Sequence, residues 1–240
     1  MDSQHDRLIA IGDVHGCIHA LDALLEQIQP HTSDTLVFLG DLIDKGRDSA
    51  AVLDRVLELS PKCKVVLIRG NHEEMLLSTE EGEGALRYWE NCGGVATLNS
   101  YRFGASLTAI PPEHWNLLRE SRPYYETPDF ILTHAGYRSD LPMDEQPGYQ
   151  LRWALFEPDD LMPHFSGRTV VVGHTEQKDS EILDLGFAIC IDTACWRHGW
   201  LTAIELHSRN FWQASRWGVL REAEEPTHRG QLPMYVEAEI

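Results

Sequence analysis

Residues 7–16, RLIAIGDVHG, decide how the chain is read. Arg7 to Ile11 is an apolar run of strand length that breaks at a glycine and delivers Asp13 and His15 in Gly12-Asp13-Val14-His15-Gly16. The unit then repeats. Ile18, Leu21, Leu24, Leu25 and Ile28 fall at helical spacing, and a second short run, Leu36 to Leu39, enters Gly40-Asp41-Leu42-Ile43-Asp44. A second helical pattern over Ala51 to Leu59 leads to a third run, Lys64 to Ile68, which enters Gly70-Asn71-His72-Glu73. Strand, helix, strand, helix, strand predicts right-handed crossovers and a parallel sheet in an α/β protein.

Outward from this core, the stretch over about 73–122 holds no strand-like run. Helical spacing recurs at Met75 to Ser78, Ala85 to Asn91, Val95 to Tyr101 and Glu113 to Arg119, broken at Gly93-Gly94 and Pro111-Pro112, so a helical cap insertion is expected there. Strand patterns return at Phe130 to Thr133, Thr169 to Val172, Phe187 to Ile191, Leu201 to Leu206 and Phe211 to Ala214, the last few close enough for an antiparallel meander. Ser139 to Gly148 is polar and proline-bearing and reads as a loop; about 221–240 reads as an irregular tail. A single domain over 1–240, with its core at about 7–215, accommodates all of this.

Five strand ends carry metal-ligand residue types: Asp13 with His15, Asp41, Asn71, His134 in His134-Ala135-Gly136, and His174 in Gly173-His174-Thr175. Sites in open α/β sheets lie off the carboxyl ends of the strands, so these side chains can meet. Each alone could be a turn with a capping residue, but five in order at five strand ends outweigh that reading. Oxygen and imidazole donors without thiolate suit manganese first, with iron or zinc admissible, in a catalytic site and not a structural zinc site. A carboxylate such as Asp41 can bridge two cations, and two divalent ions roughly 3.5–4 Å apart lower the pKa of a shared water and clamp both oxygens of a phosphate-ester displacement.

Composition narrows the partners. A formal net charge of −18 disfavours nucleic-acid duplexes and anionic membrane surfaces, whose binding draws on Lys and Arg. The polar start MDSQHDR is unlike a signal peptide, and five scattered cysteines without a Cys-x-x-Cys pair suit a reducing compartment, so a cytoplasmic location is expected. Cys190 and Cys195 read as small buried hydrophobes and Arg69 as structural. The tryptophans read as packing, with a pocket-lining place open to Trp196. His5, His114, His164, His198, His207 and His228 lie outside every ligand pattern and read as surface residues.

The strings GDVHGCIHAL, GDLIDKGRDS, IRGNHEEML, ILTHAGY and VVGHT resemble the phosphoprotein phosphatase family of the calcineurin-like metallophosphoesterases over about residues 7–206. The similarity is to its bacterial and phage lambda phosphatase-like branch, with symmetrical bis(5′-nucleosyl)-tetraphosphatases as relatives. The resemblance implies a four-layer α/β/β/α sandwich in which Asp13, His15 and Asp41 hold one metal and Asp41, Asn71, His134 and His174 the second. It also implies His72 as general acid oriented by Asp44. Lys45 stands where the family has arginine in Asp-Arg-Gly, and Arg152 precedes Trp153 where the family places arginine after tryptophan; both are candidate substrate contacts. The leading expectation is a Ser/Thr-type protein phosphatase acting on a phosphoprotein or small phosphoester, resting on Glu73 in Gly-Asn-His-Glu. The alternative is a symmetrical dinucleoside tetraphosphate hydrolase. Oligomeric state is left open.

Overall fold

In the computed structural model, which describes residues 6–101 and 106–222, the opening run folds as β1 (Leu8–Ile11), α1 (Ile18–Ile28), β2 (Thr35–Phe38), α2 (Ser49–Leu59) and β3 (Lys64–Leu67). β1 and β2 pair in parallel with Leu8 opposite Thr35, and β2 and β3 pair in parallel with Thr35 opposite Lys64. These strands are apolar on both faces, as parallel strands covered on both sides must be. Ile9, Ile11, Leu36 and Phe38 pack with the inner faces of α1 and α2, while Leu8, Ala10, Val37 and Leu39 point the other way into a second layer of core.

The middle of the chain forms α3 (Asn71–Ser78), α4 (Glu83–Trp89), a π-helical turn at Glu90–Gly94, α5 (Val95–Asn99) and α6 (Pro112–Arg119). A second sheet follows, from β4 (Tyr124–Glu126), β5 (Phe130–Thr133), β6 (Thr169–Val172), β7 (Leu183–Asp184) and β8 (Ala188–Cys190), with α7 (Gly148–Trp153) between β5 and β6. The chain then crosses back, and β9 (Trp200–Glu205) and β10 (Phe211–Ser215) complete the first sheet. The strand orders are β10-β9-β1-β2-β3 and β4-β5-β6-β8-β7. Phe130, Leu132, Val171 and Ile189 of the second sheet pack against the Leu8, Val37 and Ile204 face of the first; Ile131, Val170 and Val172 turn outward onto Leu151 of α7, Met143 and Phe156. The result is helices, sheet, sheet, helix: the four-layer α/β/β/α sandwich.

The expected late meander is corrected. β5, β6 and β8 are mutually parallel, with the short β4 and β7 antiparallel to β5 and β8; of the runs expected to form the meander only β9 and β10 pair antiparallel with each other, and β9 is also antiparallel to β1. Short apolar runs look alike whether they pair with a sequence neighbour or with a strand almost 200 residues away, so local pattern could not assign partners. β4, β7 and α7, of three, two and six residues, are too short to leave a periodic signal. From residue 223 onward the expected tail lies outside the described residues.

The turn at Glu90–Gly94 joins α4 to α5 and folds Gly94 back onto the end of α4. Gly94 lies on the buried Trp89 ring, where an added Cβ would sit 2.4 Å from indole carbons; at Gly84, on the exposed side of α4, it would meet nothing within 4 Å. Gly94→Ala should therefore destabilise the protein by about 1–3 kcal/mol through overpacking. Gly84→Ala should stabilise it by roughly 0.5–1 kcal/mol through helix propensity alone. Urea titrations of the two variants check the opposite signs.

Candidate metal centre

The ends of β1, β2, β3, β5 and β6 converge, and each imidazole is oriented by a bond on the side away from the centre. His15 Nδ1 donates to the Ile43 carbonyl at 2.8 Å and His134 Nδ1 to the Leu39 carbonyl at 2.9 Å, leaving both Nε2 lone pairs facing inward. His174 is reversed: its Nε2 donates to the Trp153 carbonyl at 3.2 Å, so its Nδ1 faces in. Such outer bonds fix the tautomer and the ring plane of a metal-ligating histidine. Burial holds His15 well below its ordinary pKa and brings His134 down to about 4; His174 is lowered too. All three are neutral at pH 7, as ligation requires.

Asp41 stands between two groups of donors. Its Oδ2 lies 3.5 Å from His15 Nε2 and 3.8 Å from His72 Nε2, while its Oδ1 lies 3.4 Å from His134 Nε2. Asn71 Oδ1, His134 Nε2 and His174 Nδ1 lie within 3.1 Å of one another. Two potential metal-holding groups thus share one carboxylate: His15, Asp41 and His72 on one side, Asp41, His134 and His174 on the other. Asp13 stands beside them, each carboxylate oxygen 3.2 Å from the backbone N–H of His174.

This crowding strains the backbone. His15, Asp41, Asp44, Lys45 and His174 all have φ between 43° and 72°, a region costing L-residues about 1–3 kcal/mol each at functional sites. The carboxylates also need close approach of neighbouring backbone: a Cβ on Gly70 would sit 2.1 Å from Asp41 Oδ1, and one on Gly173 2.1 Å from Asp13 Oδ1. Asp41 is held in place by Glu73. This fully buried carboxylate accepts from the backbone N–H groups of Asp41 and Leu42, both at 2.8 Å, and of Gly70 at 2.9 Å.

The donor chemistry fits divalent cations. Burial, Asp192 and Asp41 together push Asp13 well above the carboxylate range, and burial raises Asp192 to about 7. Burial alone would raise Asp41 as well, but His134, His72, His15 and Lys45 outweigh it and hold Asp41 far below that range. Buried carboxylates that repel one another and face neutral imidazole lone pairs form a site that bound cations would stabilise.

Beside this centre, His72 Nδ1 contacts Asp44 Oδ2 at 2.7 Å. Burial opposes charge on His72, yet Asp41 and the bond to Asp44 outweigh it and raise its pKa. Asp44, fully buried, also accepts from the Trp89 indole N–H at 2.9 and 3.1 Å and from the Thr97 hydroxyl at 2.7 Å. Trp89 and Thr97 come from the helical middle of the chain, so the cap completes the surroundings of the His72–Asp44 pair.

The family profile of the calcineurin-like phosphoesterases matches residues 6–187. The chain belongs to the calcineurin-like phosphoesterases. The asymmetrical bis(5′-nucleosyl)-tetraphosphatase PrpE of Anoxybacillus flavithermus is 28% identical over 230 residues, covering 81% of this chain and 88% of the relative. A symmetrical bis(5′-nucleosyl)-tetraphosphatase of Vibrio cholerae is 31% identical over 152 residues, covering 62% of this chain but only 52% of the relative. Among solved structures, the cold-active protein-tyrosine phosphatase of a psychrophilic Shewanella shares the fold with a TM-score of 0.64 at 20% identity, covering 90% of this chain and 80% of that one.

Within this calcineurin-like phosphoesterase the two candidate substrate contacts part company. The Lys45 ammonium lies 2.9 Å from His15 Nε2, at the centre. Arg152, at the end of α7, is engaged by Glu74 of α3, with 2.8 Å from Nε to Oε1. Arg69 donates to Ser121 Oγ and the Arg119 carbonyl, a structural role. Cys190 and Cys195 are buried free thiols. His198 and His207 are exposed, but His114 and His164 are buried: His114 bridges the Tyr101 hydroxyl and Asp54, and His164 bonds Ser166 and the Leu141 carbonyl. Both are paired structural histidines, a burial that isolated residues in polar stretches do not announce; His5 and His228 lie outside the described residues. Trp89, Thr97 and Asp192 escaped selection as site residues. Only Asp192 had a usable signal, the Ile191-Asp192-Thr193 stretch ending β8.

Glu73→Gln places an amide N–H₂ against backbone donors. It should cost about 1–3 kcal/mol, the scale of a buried unsatisfied polar group, and should lower bound metal per chain by releasing the Asp41 loop. Denaturant titration and elemental analysis of the same preparation check both effects.

Proposed function

We propose that this phosphoesterase hydrolyses dinucleoside polyphosphates of the bis(5′-nucleosyl)-tetraphosphate class. The observation that carries the reaction is Asp41, shared between two donor groups with the His72–Asp44 pair alongside. What favours the substrate is that both curated relatives described above are named for it, one matched over most of its length. The protein phosphatase expectation leaned on Glu73. That carboxylate is committed to three backbone amides and is fully buried, so it has no part in choosing a substrate.

Asp13, His15 and Asp41 would hold one ion and Asp41, Asn71, His134 and His174 the other, manganese being the first choice. Bound there, divalent ions would lower the pKa of water to about 7 and neutralise phosphoryl charge. The chain itself supplies the acid. With Nδ1 tied to Asp44, His72 presents its second nitrogen toward the centre, 3.8 Å from Asp41 Oδ2, where its proton can reach a leaving-group oxygen. Lys45 adds positive charge at the site, suited as a mobile point charge to a run of phosphates.

Manganese-loaded protein should turn over diadenosine tetraphosphate with a higher kcat/KM than a phosphoserine peptide, and chelation should abolish both activities. Faster hydrolysis of the peptide would reverse the assignment. Chromatography of the products separates symmetrical cleavage, two ADP, from asymmetrical cleavage, ATP with AMP.

The pH profile tests the acid. A histidine with a raised pKa is protonated below that value, so activity should fall as pH rises through it. Asp44→Asn removes one of the groups that raise it, so the alkaline limb of kcat should move to lower pH and kcat itself should drop by about 10²–10⁴ at most. An unmoved limb would remove Asp44 from this role.

A further inference from the structure

The connection between β8 and β9 is a tight turn. Trp200 N–H donates to the Thr193 carbonyl at 2.9 Å, and Arg197 and Gly199 N–H both donate to the Ala194 carbonyl, at 3.2 and 3.0 Å. Within it is Trp196, half-buried and held by polar contacts on both its indole and its backbone. The indole N–H donates to Glu176 Oε1 at 2.6 Å, the other Glu176 oxygen pairs with Arg197 Nε at 3.1 Å, and Arg216 Nη1 donates to the Trp196 carbonyl at 3.0 Å. Glu176 itself follows the His174 strand end by two residues, so the indole is referenced to the metal centre through a short, bonded segment.

The Lys45 ammonium lies 5.4 Å from the Trp196 ring centroid, within cation–π range, while also contacting His15 Nε2. An imidazole nitrogen has one lone pair. If His15 Nε2 serves as a ligand, that lone pair is spent, and the indole is then a direct contact that holds the ammonium at this edge of the site, beside the electrostatic pull of Asp41, Asp13 and Asp192. Lysine needs such a contact: its charge rides on a flexible stem, unlike the planar fork of arginine.

We propose that Trp196 is a positioning residue for Lys45, its face, oriented by Glu176, holding the ammonium where a substrate phosphate arrives. Arg197, 4.8 Å from the same ring, sits beside this contact at the surface. The proposal rests on the phosphoesterase reading only in requiring a phosphate at the centre, and it is indifferent to whether that phosphate belongs to a dinucleotide or a peptide.

Calorimetric titration of the manganese-loaded full chain with inorganic phosphate and with ADP provides the test, on Trp196→Ala, Trp196→Phe, Trp196→Leu, Lys45→Ala and the Trp196→Ala/Lys45→Ala double variant. Trp196→Ala should weaken both ligands by the same factor, about twofold to thirtyfold on the scale of cation–π contacts. Trp196→Phe should recover most of the loss and Trp196→Leu little of it. On the Lys45→Ala background, Trp196→Ala should cost nothing further, because the contact through which it acts is gone. Equal losses on both backgrounds, or a loss for ADP with phosphate unchanged, would make the indole an independent base-stacking surface and overturn the proposal. So would Phe and Leu variants that behave alike, the mark of simple packing. A preference for phosphopeptides in turnover would defeat the dinucleotide reading while leaving this coupling intact.

Discussion

Glu73 accepts three backbone hydrogen bonds, from Asp41, Leu42 and Gly70, and so ties the ends of β2 and β3 into one rigid corner. The rest of the centre depends on that corner. Asp41 can hold a left-handed backbone, with one carboxylate oxygen toward His15 and His72 and the other toward His134, because its own amide is anchored to a buried acceptor. Gly70 allows the approach, since any side chain there would collide with the Asp41 carboxylate. The same glycine begins α3, so Asn71 and His72 enter the centre on the first turn of a helix whose N-terminus is fixed by Glu73.

Electrostatics then sets what the centre can take. The chain carries a net charge of −18, and at the buried centre Asp41 keeps its own negative charge, held far below the carboxylate range by the surrounding imidazoles and Lys45. An anionic substrate would be repelled by such a surface in the absence of local positive charge. Neutral imidazoles, held neutral by burial, supply lone pairs without adding to the repulsion. The ammonium of Lys45 brings positive charge to the centre, and it lies 5.4 Å from the Trp196 ring in the β8–β9 connection.

The helical middle of the chain has a chemical role as well as a covering one. Trp89 and Thr97 surround the Asp44 carboxylate with donors while His72 occupies its remaining side, so the carboxylate is buried but satisfied. Gly94 permits this by letting the backbone lie directly on the Trp89 ring.

By itself the sequence determined the opening βαβαβ unit, since covered parallel strands and amphipathic helices write their burial into local periodicity. It also determined the residues that meet at the strand ends: each lies within four residues of the end of an apolar run, with a glycine next to it or two residues away that lets the chain turn. Only the tertiary structure decided the pairing of β9 with β1 and the separation of β8 from it into another sheet, because short apolar runs carry no label for a distant partner. It alone revealed that Glu73 is bonded to the backbone of Asp41, Leu42 and Gly70, that Arg152 is taken up by Glu74, that Trp89 and Thr97 bond Asp44, and that Trp196 lies beside Lys45. Those roles arise from hydrogen bonds and ring contacts between segments as much as 151 residues apart, from Lys45 to Trp196, and such contacts leave no periodicity in either segment from which they could be read.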